Sequence, residues 1–142
     1  MVTVEPATEA TPDVHAALSR LLPQLNPQLP VPTIDRLRAI IADPAVTLLL
    51  ARDGDQIVGT TTVIVYTTPF WIKARLDEVV VDGSARGKGV GATLVQASLD
   101  LAREKGAEVV ELQSGVQRKE ANRLYPRMGF KLRETNVYRI VL

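Results

Sequence analysis

Leu76-Asp77-Glu78-Val79-Val80-Val81-Asp82-Gly83-Ser84-Ala85-Arg86-Gly87-Lys88-Gly89-Val90-Gly91 is the stretch on which the fold turns. Its first half reads as the end of a strand, with a valine run suited to a pleated surface. Glycines follow. From about Gly89 to Lys105 the residues Val90, Leu94, Ala97, Leu101 and Ala102 recur at helical spacing. Arg103 and Lys105 suit the negative end of that helix, and Gly106 stops it. A strand, a glycine-rich turn and a helix in this order make an anion site. The first N–H groups of a helix have no internal partners and sit at the positive end of its dipole, so a phosphate there satisfies both. Glycines at 87, 89 and 91 keep side chains from the backbone and permit positive φ, while Arg86 and Lys88 add charge.

The flanking sequence decides what kind of anion site this is. Upstream, Val2 to Glu5 reads as a short strand. Thr11-Pro12 opens a helix with Val14, Leu18, Leu21, Leu22 and Leu25 inward, which the proline-rich segment Pro23 to Pro32 frays and ends. Thr33 caps a second helix with Ile34, Leu37, Ile40 and Ile41 inward, stopping at Asp43-Pro44. Strands follow over Val46 to Arg52 and Gln56 to Tyr66, joined at Asp53-Gly54, and then over Lys73 to Val81. Downstream come a strand over Val109 to Leu112 and a helix from about Lys119 to Met128 that Gly129 terminates. Two closing strands are predicted near Phe130 to Arg133 and Thr135 to Val141. The order β-α-α-β-β-β-α-β-α-β-β predicts one α/β domain over residues 1–142.

Two better-known phosphate motifs fit poorly. A Walker loop needs one more residue between Gly83 and Gly87, and Ser or Thr where Gly89 follows Lys88. A dinucleotide fingerprint is formally met by Gly87, Gly89 and Ala92, with Glu111 as distal acid. That fold needs further β-α units, and the motif here follows an antiparallel meander. A plain turn needs neither three alternating glycines nor two cations.

Composition narrows the function classes. The 142 residues are 46% hydrophobic, enough for a core without metals or bridges. There is no cysteine, so disulfides, thiolate metal sites and a cysteine nucleophile are all excluded, which fits a cytoplasmic location. A net charge of +1 without long basic runs argues against a nucleic-acid binder. Met1 to Glu5 has no signal-peptide pattern, and the longest apolar stretches fall far short of a membrane span. No metal site is expected.

The second half of the chain carries another recognisable pattern, Glu120-Ala121-Asn122-Arg123-Leu124-Tyr125 followed by Met128-Gly129-Phe130. Together with Leu76 to Val81 and Arg86 to Gly91, it resembles the GNAT superfamily of N-acetyltransferases, whose signature is Arg/Gln-x-x-Gly-x-Gly/Ala. The resemblance covers essentially the whole chain. It implies a mixed, mostly antiparallel sheet with a splayed parallel pair, flanked by four helices. It implies acetyl-CoA as the acyl-donor cosubstrate, with its pantetheine arm on the backbone of Val79, Val80 and Val81. The pyrophosphate would lie on amides of Arg86, Gly87, Lys88, Gly89, Val90, Gly91 and Ala92. Asn122 is similar to the residue that touches the arm, and Tyr125 matches a tyrosine near the thioester sulfur. The partner implied is a primary amine, small molecule or peptide. The strand start and compact size also resemble amino-sugar-phosphate acetyltransferases, while peptide N-termini, lysines, polyamines and drug amines remain open. A non-catalytic acyl-CoA-binding regulatory module on the same fold is the rival reading.

The chemistry asks for an acid and a base. An amine at neutral pH must lose a proton to attack, and the departing thiolate must gain one. Tyr125, a phenol with a pKa near ~10, is a candidate acid, although spacing alone fits a core aromatic equally well. Glu78 is the candidate base, acting through a water, or else a structural carboxylate or a binder of the acceptor ammonium. Alternation sends Asp77 to the opposite face. Pro126 follows Tyr125 inside the last helix, removes an N–H and restricts Tyr125. His15, the only histidine, falls on a helix surface, and Arg118, Lys119 and Arg123 read as a solvated face. The proline-rich segment Pro23 to Pro32, with Leu25, Leu29 and Val31, is expected from the resemblance to form one wall of the acceptor pocket, the alternative being that these apolar residues cap the core or pack against a second subunit. The turn Phe70-Trp71 fits an acceptor wall or a homodimer contact, and equally well partial burial under a neighbouring loop.

Overall fold

Strand β1 (Val2–Pro6) begins the chain in the computed structural model, which describes residues 1–142. Helices α1 (Pro12–Leu25) and α2 (Ile34–Ala42) follow, then β2 (Val46–Asp53), β3 (Gln56–Thr67) and β4 (Ile72–Val81). A short 3₁₀ turn (Gly83–Ala85) leads to α3 (Val90–Glu104), β5 (Val109–Leu112) and α4 (Lys119–Arg127). The sheet order is β1-β2-β3-β4-β5, with β1 to β4 antiparallel and β5 parallel to β4. This is the expected α/β fold, a mixed and mostly antiparallel sheet with four flanking helices.

Each face of the sheet builds its own core. One core joins Leu49, Val58, Val63, Leu76, Val90, Leu94, Val95 and Tyr125, so α3 and α4 cover that face. The other joins Val14, Leu18, Leu21, Leu37, Leu48, Leu50, Ile57 and Val80, so α1 and α2 cover the opposite face. Leu48 and Leu50 point one way and Leu49 the other, as strand alternation requires. Burying a leucine such as Leu21 or Leu94, both 0% exposed, contributes ~1.5–3 kcal/mol.

Several expectations need correction. Helix α1 is capped by the Thr11 hydroxyl as expected, but it runs through Pro23 to Leu25. Pro23 forfeits only the bond to Ser19, and the inward leucines hold the last turn against the sheet. The β2–β3 turn is Gly54-Asp55, one residue later than read, with φ +62° at Gly54. Most consequentially, no strand forms after α4. Residues 131–142 are exposed, and no backbone group among them makes a backbone hydrogen bond.

Candidate active site

Strands β4 and β5 part company where the site begins. They pair from Lys73↔Val109 to Leu76↔Leu112 and no further, although β4 continues to Val81. At the same level the register between β3 and β4 slips, from Thr62↔Asp77 to Thr60↔Val80. One extra β4 residue is accommodated there, a β-bulge. Glu78 sits in it with φ +50°, the only non-glycine residue with positive φ in the chain. The Thr61 hydroxyl braces the bulge by donating to the Asp77 carbonyl at 3.1 Å.

The bulge changes which side chains face where. Leu76, Val79 and Val81 share the α3 face, while Val80 turns to the α1 face. The Asp82 N–H donates to the Val58 carbonyl at 2.8 Å, so the backbone of Val80, two residues before, also faces β3. The groups of Val79 and Val81 then face the gap, and the Val79 carbonyl does accept from the Arg118 guanidinium there at 3.5 Å.

Beyond β4 the chain enters the glycine-rich turn. Asp82 caps the 3₁₀ turn by accepting from the Ser84 N–H at 3.1 Å. Gly87 and Gly89 have φ of +79° and +76°, and nothing stands within 4 Å of where their Cβ atoms would be. They are required for conformation, not for space. Gly91 has an ordinary φ and sits against Leu124 and Val81, so its role is close packing of α3 on α4. Because Gly89 has no side chain, nothing caps α3, and the amides of Gly87 through Ala92 find no acceptor in the chain. Consecutive unpaired N–H groups form an anion-binding concavity.

These features open on one cleft of about 870 Å³. Val79, Val81, Arg86, Gly87, Gly89, Val90, Gly91, Ala92 and Tyr125 line it. Val80 does not, because the bulge has turned it into the opposite core. Lys88 stands outside it. Asn122 is outside as well, its side-chain amide donating to the Gly115 carbonyl at 2.9 Å and fixing the β5–α4 loop. Glu78 does not line the cleft but adjoins Val79, which does. Arg118, Lys119 and Arg123, which read as a solvated face in the sequence, are wall residues, and so is Arg127. Their helical spacing on α4 is visible in the sequence, but which neighbour that face meets is not.

Tyr125 is 6% exposed and packs edge-on to Phe130 with ring centroids 5.7 Å apart. Pro126 does not break α4. Gly129 (φ +99°) closes it with Phe130 N–H to Tyr125 carbonyl and Gly129 N–H to Pro126 carbonyl bonds, the two bonds of a Schellman cap. The Tyr125–Phe130 ring contact is that cap's apolar clasp, so the cap fixes the phenol. Burial raises the phenol's pKa above its ordinary value, and the Arg118 charge partly opposes this. The Glu78 carboxyl is also raised, first by partial burial and then by the charge of Asp77, with Arg75 opposing. Asp77 is engaged elsewhere, paired with Arg75 at 3.2 Å.

Helix α1 touches this apparatus from the other side. Arg20 pairs with Asp82 and donates to the Ile57 carbonyl, and the Gln24 side-chain carbonyl accepts from the Gly83 N–H at 2.9 Å. His15 donates to the Pro32 carbonyl at 2.8 Å, which makes it a tether for the proline-rich segment. In that segment Leu25 is half-buried against the core, while Leu29 and Val31 are exposed. Phe70 and Trp71 are exposed at the β3–β4 hairpin tip.

The comparisons agree with this geometry. An aminoalkylphosphonate N-acetyltransferase of Salmonella typhimurium is 32% identical over 128 residues, covering 87% of this chain and 80% of that protein. An uncharacterized N-acetyltransferase of Methanocaldococcus jannaschii is 38% identical over 61 residues, 43% of this chain and only 27% of that longer protein. Among solved structures, that of a transcriptional regulator from Bacillus halodurans superimposes with a TM-score of 0.81 at 28% identity, covering 99% of this chain and 100% of that one. The model of the acetyltransferase (GNAT) family matches residues 12–130, and the chain belongs to that family of N-acetyltransferases.

Proposed function

We propose that this chain transfers an acetyl group from acetyl-CoA to a primary amine by direct attack in a ternary complex. One observation carries the reading: the unpartnered amides of Gly87 to Ala92 open on the same cleft as the Tyr125 ring, where β4 and β5 separate. The amides and Arg86 hold the pyrophosphate. The free backbone groups of Val79 and Val81 take the pantetheine arm, with Arg118 releasing the Val79 carbonyl as the arm pairs there. Arg118, Lys119, Arg123 and Arg127 supply the remaining charge for phosphates. Val80 and Asn122 support this site from behind, by packing and by fixing a loop. No metal takes part.

The thioester supplies the activated acetyl group. The chain's own groups manage the protons. Tyr125 makes no hydrogen bond within the chain, and its raised pKa keeps it protonated, so it is set to give a proton to the departing thiolate. Glu78 has the higher proton affinity a base needs and accepts the amine proton through a water. The relative from Salmonella makes a small amine carrying an anionic group the first acceptor class to try.

The test is free thiol released from acetyl-CoA in the presence of an amine panel spanning aminoalkylphosphonates, amino sugars, polyamines and peptides. Amine-dependent release is expected. Acetyl-CoA binding without turnover on any amine would replace this reading with an acyl-CoA-sensing module. Acetyl-CoA is also expected to stabilise the folded chain by ~2.7 kcal/mol at a hundredfold excess over its Kd, and so to raise the melting temperature where NAD and ATP do not.

A further inference from the structure

The chain between β4 and α3 changes character at Gly87. Every N–H from Asp82 to Arg86 has an acceptor within the chain, and no N–H from Gly87 to Ala92 has one. The bare amides form a single concavity only if the backbone enters it in one direction. Gly83, Gly87 and Gly89 leave that direction free, because glycine fixes its own φ least. The exit is held by the packing of α3, where Val90 and Leu94 are 1% and 0% exposed. The entry has to be held by hydrogen bonds.

Two of those bonds come from helix α1, on the opposite face of the sheet. The Gln24 side-chain carbonyl accepts from the Gly83 N–H at 2.9 Å. Arg20 pairs with the Asp82 carboxylate and also donates to the Ile57 carbonyl at 2.8 Å. The same carboxylate accepts from the Ser84 N–H, so Arg20 holds the group that caps the turn. Arg20 and Gln24 are four residues apart and share one side of α1. The Gln24 side-chain amide donates to the Arg20 carbonyl at 3.3 Å, which leaves its oxygen for Gly83. Gln24 stays on that side because α1 continues through Pro23 to Leu25. Docking of α1 needs neither residue, since Val14, Ala17, Leu18 and Leu21 bury its apolar stripe.

We infer that Arg20 and Gln24 are positioning residues for the coenzyme: α1 fixes Asp82 and Gly83 from behind and so aims the bare amides of Gly87 to Ala92 at the pyrophosphate. The inference rests on the acetyl-CoA reading above. Neither residue lines the cleft, so each acts through the turn. Without them the entry gains freedom, and ordering it again costs part of the binding energy of the phosphates.

The test is calorimetric titration of acetyl-CoA into the parent, Arg20→Met and Gln24→Leu. Gln24 is exposed, so its variant keeps the fold even if the arginine variant does not. Kd is expected to rise roughly tenfold for Arg20→Met and about fivefold for Gln24→Leu, the scales of a charged and a neutral hydrogen bond. In an Asp82→Asn background Arg20→Met should add little, and fully additive losses would show that Arg20 does not act through that carboxylate. Steady-state kinetics should show a higher acetyl-CoA KM with kcat at saturation unchanged. S-acetylpantetheine, which has the arm but no pyrophosphate, should be used equally well by parent and variants. Equal losses on both donors would make the two residues general supports of the fold and overturn the inference. A parent that binds acetyl-CoA no more tightly than either variant does would overturn it too, leaving the acyltransferase reading in place. A parent that does not bind acetyl-CoA at all would remove both.

Discussion

Tyr125 and Glu78 are held by different means, and each yields its own test. A Schellman cap and a ring contact fix Tyr125, so Tyr125→Phe should keep the fold and the acetyl-CoA affinity. Steady-state kinetics should show kcat lower by ~10²-fold, within the range for a lost general acid. Glu78 is held by a bulge in a strained φ. Its folded-state pKa is raised, so the folded protein binds this proton more tightly than the unfolded chain does. That favourable linkage is fully present below the unfolded pKa and is lost as pH rises through the raised folded value. Glu78→Gln should therefore be slightly more stable than the parent at pH 7, with the gain vanishing toward pH 4 in thermal melts. The same substitution should lower kcat and remove the acidic limb of the pH–rate profile, a limb lying above the ordinary glutamate value of 4.5. Both residues are candidates on sequence alone, but the positive φ of Glu78 is invisible there. Nothing local distinguishes a bulge from a regular strand when the surrounding residues are all valine and acid.

At the level of elements, the glycine-rich turn separates conformation from space. No atom stands near a Cβ at Gly89, so a larger side chain would fit, but φ +76° is unfavourable for it. Gly89→Val should cost ~1–2 kcal/mol of stability and weaken acetyl-CoA binding by calorimetry, because the amides would shift with the backbone. Gly89→Asn tolerates the left-handed region and should keep most of both. Equal losses in the two variants would mean that side-chain bulk, not φ, matters. The helices and strands themselves were largely legible: β5 spans the expected residues, and β2, β3, β4, α3 and α4 shift by a residue or so at their ends. Pro23 misled, since it looked like the end of its helix, and Pro126 leaves α4 running to Arg127. Each forfeits one hydrogen bond, and packing on the sheet or a strong C-terminal cap outweighs that loss.

For the whole molecule, the acceptor side is the part still to be defined. Leu29 is 64% exposed, so Leu29→Ala should change stability by less than ~0.5 kcal/mol, as surface substitutions do. If it walls the acceptor pocket, the acceptor KM should rise while acetyl-CoA affinity stays fixed, and an unchanged KM would remove it from the site. By itself the sequence determined the α/β class, the glycine turn and the family, because these rest on local rules: hydrophobic period, caps and the needs of an unpaired helix start. It also held the strand pattern of Phe130 to Leu142. Only the tertiary structure decided that the bulge turns Val80 into the other core, that Asn122 braces a loop, and that the cations of α4 face the cleft. It alone decided that the closing strands find no partner within the chain. A strand is stable only through the neighbour that completes its hydrogen bonds, and neither the presence nor the identity of that neighbour is written in the strand's own residues.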